Sequence, residues 1–375
     1  MDNGFQNESV FPSVKFTSSG NNLSNERRKK IDELINQKFS LLVSKGYIIG
    51  EDGKIYPPKN SMLDGMLGFA VGDALGVPVE FSNRYELQKK PVKEMRGFGT
   101  FQVPYGTWSD DTSMTLATID SIVENGEINY SDIMFKFSEW YNHSEFTATD
   151  EVFDIGNTTR KAILRFDNGV DALFCGGTEH YENGNGSLMR MLPIAYYLYG
   201  GNFNEDEEVD IINNVSSLTH AHKISCLGCK IYCDYVKQLL SGVSKEEAME
   251  FIKKQNYNLY YPKDVVDKYS RILTSNISKL KMVDIRSTGY VVDTLEASLW
   301  CTLNSNSYEE AVSMAVNLGI DTDTIGAITG SLNGIIYSRV NIPNNWLDKI
   351  RKRGYIEDLI QKFVEVISNN KGRMK

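Results

Sequence analysis

Two acidic clusters, Asp110-Asp111-Thr112 in GTWSDDT and Asp321-Thr322-Asp323-Thr324 in GIDTDTIG, lie far apart in the chain but share one context. Each opens a run of small and apolar residues that reads as a helix, so each set of carboxylates falls where free backbone N–H groups point. One such cluster is an ordinary helix cap. Two of them suggest a built site, because carboxylates brought together repel unless a cation or protons neutralise them. Asp110, Asp111, Asp321 and Asp323 supply hard anionic oxygens, and Ser109 and Thr324 add neutral oxygens beside them. That donor set suits magnesium or manganese rather than copper or a structural zinc. Two cations held about 3.5–4 Å apart could share carboxylates and position both hydroxyls and water. Two further acids precede the first cluster: Asp73 in VGDALG, inside a small-residue helix, and Glu80 in GVPVEF, beyond the Pro78 stop. Read from the residues alone, Asp73 is equally a buried hydrogen-bond acceptor and Glu80 equally a solvated loop acid.

The elements that must position these acids are helical. Gly65, Gly68, Gly72 and Gly76 fall at intervals of three and four, and Gly326, Gly330 and Gly334 repeat the pattern after the second acidic cluster. Glycine is costly inside a helix, so a bare stripe implies close approach of another helix or of a ligand. Two stripes predict helices that cross in the core with their acidic ends together. Further helices are expected over 112–124, 131–141, 187–199, 207–218, 223–240, 244–254, 288–303, 307–317, 324–338 and 354–368. Strands do not alternate with crossover helices and no fixed repeat appears, which predicts an all-α, compact single-domain body over residues 59–371. Ahead of it, residues 1–58 form an extension with a helix expected between the Ser24 cap and Gly46, closed by Pro57-Pro58. It reads as a packing segment, a lid or a partner-binding arm.

The formal charge of -9 argues against a nucleic-acid backbone as the main partner. No long uncharged apolar run and no basic-then-apolar leader appear, so no membrane span and a cytoplasmic location are expected. Five cysteines, an odd number, do not make a disulfide scaffold. Cys226, Cys229 and Cys233 follow His220 and His222, yet their spacing is also that of small apolar residues on one helix face.

The segments DGMLGFAVGDALGVPVEF, GTWSDDTSMTLA, GNGSLMRMLPIA, LTHAHK, GYVVDTLEASLW and AVNLGIDTDTIGAITGSLNGIIY, in that order, resemble the ADP-ribosylglycohydrolase family. The bacterial members similar to dinitrogenase-reductase-activating glycohydrolase are the nearest in pattern. The resemblance implies a compact all-α fold, two divalent metal ions (Mg²⁺ or Mn²⁺), and cleavage of ADP-ribose from a modified protein side chain, arginine first among acceptors. It places the metal ligands at Ser109, Asp110, Asp111, Asp321, Asp323 and Thr324, where Ser109 stands at a position often filled by threonine. Glu80 becomes the first choice for proton transfer, with Asp73 or a metal-bound carboxylate such as Asp111 in reserve. Gly184, Asn185, Gly186, Ser187, Leu188 and Met189 look like the family's diphosphate loop, in which backbone N–H groups approach phosphate oxygens. His220, and with a weaker case Tyr290, would lie against the nucleotide.

Some members of the family resemble immunity proteins against ADP-ribosylating toxins, so an ADP-ribosyltransferase toxin bound through the N-terminal extension is a further expected partner beside the ADP-ribosylated substrate. The competing readings are a non-enzymatic ADP-ribose-binding or toxin-inhibiting protein and a hydrolase for another acceptor, such as ADP-ribosylserine or a modified nucleobase.

Overall fold

The computed structural model describes residues 29–30, 48–49, 55–56 and 60–373. The chain divides into two units, Met1–Lys59 and Asn60–Lys375. In the first, residues 29–30 are helical, and the rest of the helix expected between Ser24 and Gly46 lies outside the described residues. Strands β1 (Ile48–Ile49) and β2 (Ile55–Tyr56) pair antiparallel, with Ile48 opposite Tyr56.

The second unit is all-α among the described residues. Its main helices are α1 (Ser61–Gly76), α2 (Asp110–Asn125), α3 (Tyr130–His143), α4 (Asn157–Asp167), α5 (Leu192–Gly200) and α6 (Glu205–Ser217). They continue with α7 (Lys223–Leu240), α8 (Lys245–Lys254), α9 (Val291–Leu303), α10 (Tyr308–Val316), α11 (Thr322–Tyr337) and α12 (Arg353–Arg373). Short helical turns fill several of the connections.

The glycine stripes meet as expected. A Cβ added at Gly68 would strike the carbonyl of Gly330, one at Gly72 the carbonyl of Gly326, and one at Gly76 the backbone of Asp323. Partners that descend on α11 as they ascend on α1 make the two helices antiparallel. The C-terminal end of α1 therefore lies against the N-terminal end of α11, and this alone brings Asp73 and Glu80 toward Asp321 and Asp323. The pair sits in the middle of the body: from Asp64 to Gly76 every residue of α1 is buried. The span Ser61–Val79 has the length and hydropathy of a membrane helix, but 89% of that window is covered by protein. Its one exposed-type charge near the start, Asp64, is buried and paired with Arg339 at 2.7 Å and the Ser338 hydroxyl at 2.8 Å.

Two local expectations change. The helix expected over 187–199 is a 3-10 turn at Leu188–Arg190 followed by α5, because Pro193 lacks an N–H and sits in the first turn of a new helix. The helix expected from residue 288 starts at Val291, with Tyr290 as its N-cap residue. Helix α4 was not expected; Gly156 caps it without a side-chain bond, so the usual start signal is missing. All five cysteines are free and buried. Cys226, Cys229 and Cys233 pack into the main hydrophobic core as small apolar residues.

Candidate active site

Three helix ends build the acidic centre. Ser109 caps α2, its hydroxyl accepting the Asp111 N–H at 3.3 Å. Behind it, the Asp73 carboxylate accepts the N–H of Ser109 (2.9 Å), the N–H of Thr112 (3.1 Å) and the Thr112 hydroxyl (2.5 Å). Asp73 thus ties α1 to the start of α2 and has most of its lone pairs occupied. Burial still dominates its titration and pushes its pKa up to about 7. From α11, the Thr324 hydroxyl donates to Asp111 at 3.3 Å, linking the two acidic clusters directly. Asn185 donates to Asp321 at 2.6 Å and to the Thr294 hydroxyl at 2.9 Å, so the glycine-rich loop is fastened to the same centre.

Two sets of carboxylates have oxygens mutually within 4.8 Å: Asp73–Asp111–Asp323 and Glu80–Asp321–Asp323. Asp323 belongs to both. This is the arrangement in which one carboxylate can serve two adjacent cations. A seventh acid, Asp154, has no counterpart in the sequence reading; it lies close enough to share a proton with Glu80 or Asp323. Its segment, FDIGNTT, is a polar loop with no periodic signal, and Asp154 adopts φ 53°, which no sequence rule assigns to an aspartate in advance.

Crowding shows in the protonation equilibria. Burial, then the charges of Asp154 and Asp321, push Glu80 up to about 11, and burial pushes Asp321 up to about 6. Asp110, Asp111 and Asp323 also move well above the ordinary carboxylate range, again by burial first and neighbouring carboxylates second. Glu80 Oε2 is buried with no hydrogen-bond partner. So many crowded carboxyl groups, all hard oxygen donors that hold protons where no cation neutralises them, fit divalent cations such as magnesium or manganese.

A thermodynamic consequence follows. The folded, cation-free chain keeps protons on these acids that the unfolded chain releases above pH about 4–4.5, near their ordinary values. Its stability is therefore greatest in mild acid and declines as pH rises through the folded values, from about 6 for Asp321 to about 11 for Glu80. Chelator-treated protein should melt at lower temperature at pH 8.5 than at pH 5.5, and added Mg²⁺ or Mn²⁺ should raise the melting temperature more at pH 8.5. A cation effect that is equal at both pH values, or absent, contradicts this reading.

A cleft of about 390 Å³ opens above the acids. Glu80, Asp110, Asp321 and Thr324 line it at one part, and Gly184, Asn185, Gly186, Met189 and His220 at another. Asp73, Ser109, Asp111 and Asp323 are buried behind that lining. Ser187, Leu188 and Tyr290 are not brought to the cleft wall. Ser187 is buried against Ser216 and Cys229, Leu188 is buried in the core, and Tyr290 packs on the core while its backbone bridges Gly184. The loop therefore presents backbone and Asn185 rather than every side chain of the motif. Gly186 must be bare, since a Cβ there would lie 2.7 Å from His220 Cε1. The start of α4, Gly156 to Thr159, also lines the cleft, and Thr159 Oγ1 would lie 3.0 Å from a Cβ on Gly186.

Two of the acids that line the cleft are each next to an apolar residue in left-handed conformation. Phe81 (φ 65°) follows Glu80, and Ile320 (φ 68°) precedes Asp321. The pair is held by backbone bonds, Phe81 N–H to the Ile320 carbonyl at 2.7 Å and Ile320 N–H to the Ser82 carbonyl at 2.8 Å. Each such conformation costs about 1–3 kcal/mol and persists only where surroundings enforce it. Here they aim Glu80 and Asp321 toward each other.

A family model described as ADP-ribosylglycohydrolase matches residues 57–373. The ADP-ribosylarginine hydrolase Tri1 of Serratia proteamaculans is 32% identical over 313 residues, which cover 82% of this chain and 80% of that one. The protein of the same name from Pseudomonas putida is 33% identical over 305 residues, covering 80% and 76%. The ADP-ribosyl-dinitrogen reductase glycohydrolase of Rhodospirillum rubrum is 28% identical over 313 residues, covering 81% and 94%. A solved ADP-ribosylglycohydrolase-related protein complex shares the fold with a TM-score of 0.68 at 27% identity, covering 82% of this chain and 98% of that one.

Proposed function

Because this chain belongs to the ADP-ribosylglycohydrolase family, we propose that it hydrolyses the N-glycosidic bond between ADP-ribose and a modified arginine of a protein. The observation that carries the proposal is the meeting of two carboxylate sets through Asp323 beside a glycine loop that Asn185 fastens to Asp321. A binder of ADP-ribose has no use for so many buried acids; a hydrolase does. Arginine is chosen over serine or a nucleobase because the relatives that match over most of this chain carry the name ADP-ribosylarginine hydrolase.

In the proposed reaction water adds to C1 of the distal ribose as the bond from C1 to the guanidino nitrogen breaks, giving ADP-ribose and unmodified arginine. Asp73, Asp111 and Asp323 on one side and Glu80, Asp321 and Asp323 on the other, with Ser109, Asp110 and Thr324 as nearby oxygen donors, would hold two divalent cations, magnesium or manganese, which when bound neutralise these acids, orient ribose hydroxyls and activate water. Gly184, Asn185 and Gly186 offer a bare wall for the diphosphate, and fixing that end of the substrate presents C1 to the acids. Glu80 takes the proton of the attacking water and passes it to the departing guanidino nitrogen, which leaves as arginine. Its Oε2 has no protein partner and its carboxyl reaches the cleft. Added positive charge lowers its pKa from the value set by the crowd of acids, leaving it able to accept that proton.

Glu80→Gln keeps the shape and removes the proton acceptor. Release of ADP-ribose from an ADP-ribosylarginine protein should fall about 10²–10⁴-fold in kcat, while binding of free ADP-ribose by calorimetry changes only a few-fold. Unchanged turnover would remove Glu80 from proton transfer.

Residues 1–58 are proposed to recognise an ADP-ribosylating toxin, giving the hydrolase an immunity role. Deleting residues 1–56 is then expected to abolish capture of the toxin and spare hydrolysis of a generic ADP-ribosylarginine substrate. Retained capture by the truncated chain would refute the role of the arm.

A further inference from the structure

His220 is one of four histidines in the chain, is 3% exposed, and has its two ring nitrogens in different surroundings. Nδ1 lies 2.9 Å from the Thr219 hydroxyl. Among the described residues Nε2 has no protein partner; that edge of the ring faces Gly184 and Gly186, and the residue lines the cleft. The Thr219 hydroxyl oxygen accepts in turn from Arg190 Nη2 at 2.9 Å. Arg190 is 0% exposed, stacks on Phe137 at 4.8 Å from the ring centre, and donates a second bond from Nη2 to the Val215 carbonyl at 3.0 Å. No carboxylate pairs with it among the described residues, and its Nε and Nη1 have no partner.

A guanidinium can only donate, so Thr219 must be the acceptor of that bond. Its hydroxyl proton then has a single acceptor in reach, His220 Nδ1. Were Nδ1 protonated instead, the buried Thr219 O–H would be left without an acceptor, at a cost of about 1–3 kcal/mol. Burial, reinforced by the positive charge of Arg190, pushes the imidazole pKa down to about 3, so the ring is neutral at pH 7. A neutral ring with Nδ1 accepting carries its proton on Nε2.

We propose that Arg190 and Thr219 are positioning residues that lock His220 in the Nε2–H form, making it a neutral hydrogen-bond donor to an oxygen of the diphosphate held at the Gly184–Gly186 loop. The inference rests on the functional reading for the ligand but not for the proton direction, which is a property of the free protein. It also explains why an unpaired guanidinium is kept in the interior: the charge orients a chain of protons and adds positive potential behind a wall meant for an anion, in a site otherwise crowded with acids.

The test uses the ¹⁵N-labelled full chain. Side-chain histidine ¹⁵N shifts at pH 7 should place His220 in the Nε2–H form in the wild type and in Thr219→Ser, and should show loss of that preference in Thr219→Val, which keeps the shape of the side chain without its hydroxyl. Free ADP-ribose should bind Thr219→Val about tenfold more weakly, as expected for one misdirected bond to a charged group, and Thr219→Ser should restore affinity. An Nδ1–H ring in the wild type, or unchanged tautomer and affinity in a folded Thr219→Val, overturns the proposal. Failure to hydrolyse ADP-ribosylarginine would defeat the functional reading and leave the tautomer result standing.

Discussion

Asp323→Asn is expected to lower ADP-ribosylarginine hydrolysis by at least about 10³-fold, within the range that loss of a preorganised charge reaches. Asp323 is the one carboxylate common to both sets, so its loss weakens both proposed cation positions together. Folding should not suffer. Asn preserves the side-chain oxygen that accepts the Thr324 N–H at 2.9 Å, and it removes one negative charge from a buried group of mutually repelling acids. The cation-free variant should therefore melt no lower than the cation-free wild type at pH 8.5, while the rise in melting temperature on adding Mn²⁺ shrinks or disappears. A variant that is destabilised without cation and still responds normally to Mn²⁺ would show that Asp323 is a structural residue.

The second large effect concerns the scaffold. Gly72→Ala puts a Cβ against the backbone of Gly326 and Ala327, and Gly326→Ala puts one against the carbonyl of Gly72 and a methyl of Val316. Two effects oppose each other. Alanine favours the helix over glycine by about 1 kcal/mol. The clash is with backbone, which cannot rotate away, and overpacking costs about 1–3 kcal/mol, with a Cβ 2.0 Å from a carbonyl oxygen at the upper end. The clash wins, and α1 must move off α11. Because Asp73 and Glu80 lie near one end of this contact and Asp321 and Asp323 near the other helix's start, that movement separates the carboxylate sets. We expect Gly72→Ala to melt several degrees lower and to lose turnover beyond what its folded fraction explains. Gly354→Ala is the control: α12 leaves open space at that position, so melting should be unchanged or slightly higher. Equal behaviour of the two variants would mean that the α1–α11 approach is not tight.

The glycine spacing made this helix pair legible because close packing writes itself into sequence as a period: Gly65, Gly68, Gly72 and Gly76 on one helix meet Gly334, Gly330, Gly326 and the Asp323 backbone on the other. The acids were legible as pairs for the same local reason, each opening a helix. Their common centre was not, since antiparallel packing is a tertiary fact. Asp154 is not legible in the sequence because a lone aspartate in a polar loop has no pattern, and the left-handed conformations of Phe81 and Ile320 are imposed by backbone bonds between their segments rather than by residue type. The glycine loop was found as a motif, yet motif letters do not say which side chains face outward. Ser187 and Leu188 turn into the core, whereas Asn185 holds Asp321. Helix α4, whose first residues line the cleft, has no capping side chain and so carries no start signal in the sequence.

The most direct test of the account is release of ADP-ribose from an ADP-ribosylarginine protein by the purified full chain, measured with Mg²⁺ or Mn²⁺, after excess EDTA, and after the cation is restored. The account predicts release with cation, loss with EDTA and recovery on restoration. Tight binding of ADP-ribose with no release by a folded, cation-loaded chain would contradict it, as would release at full rate in EDTA.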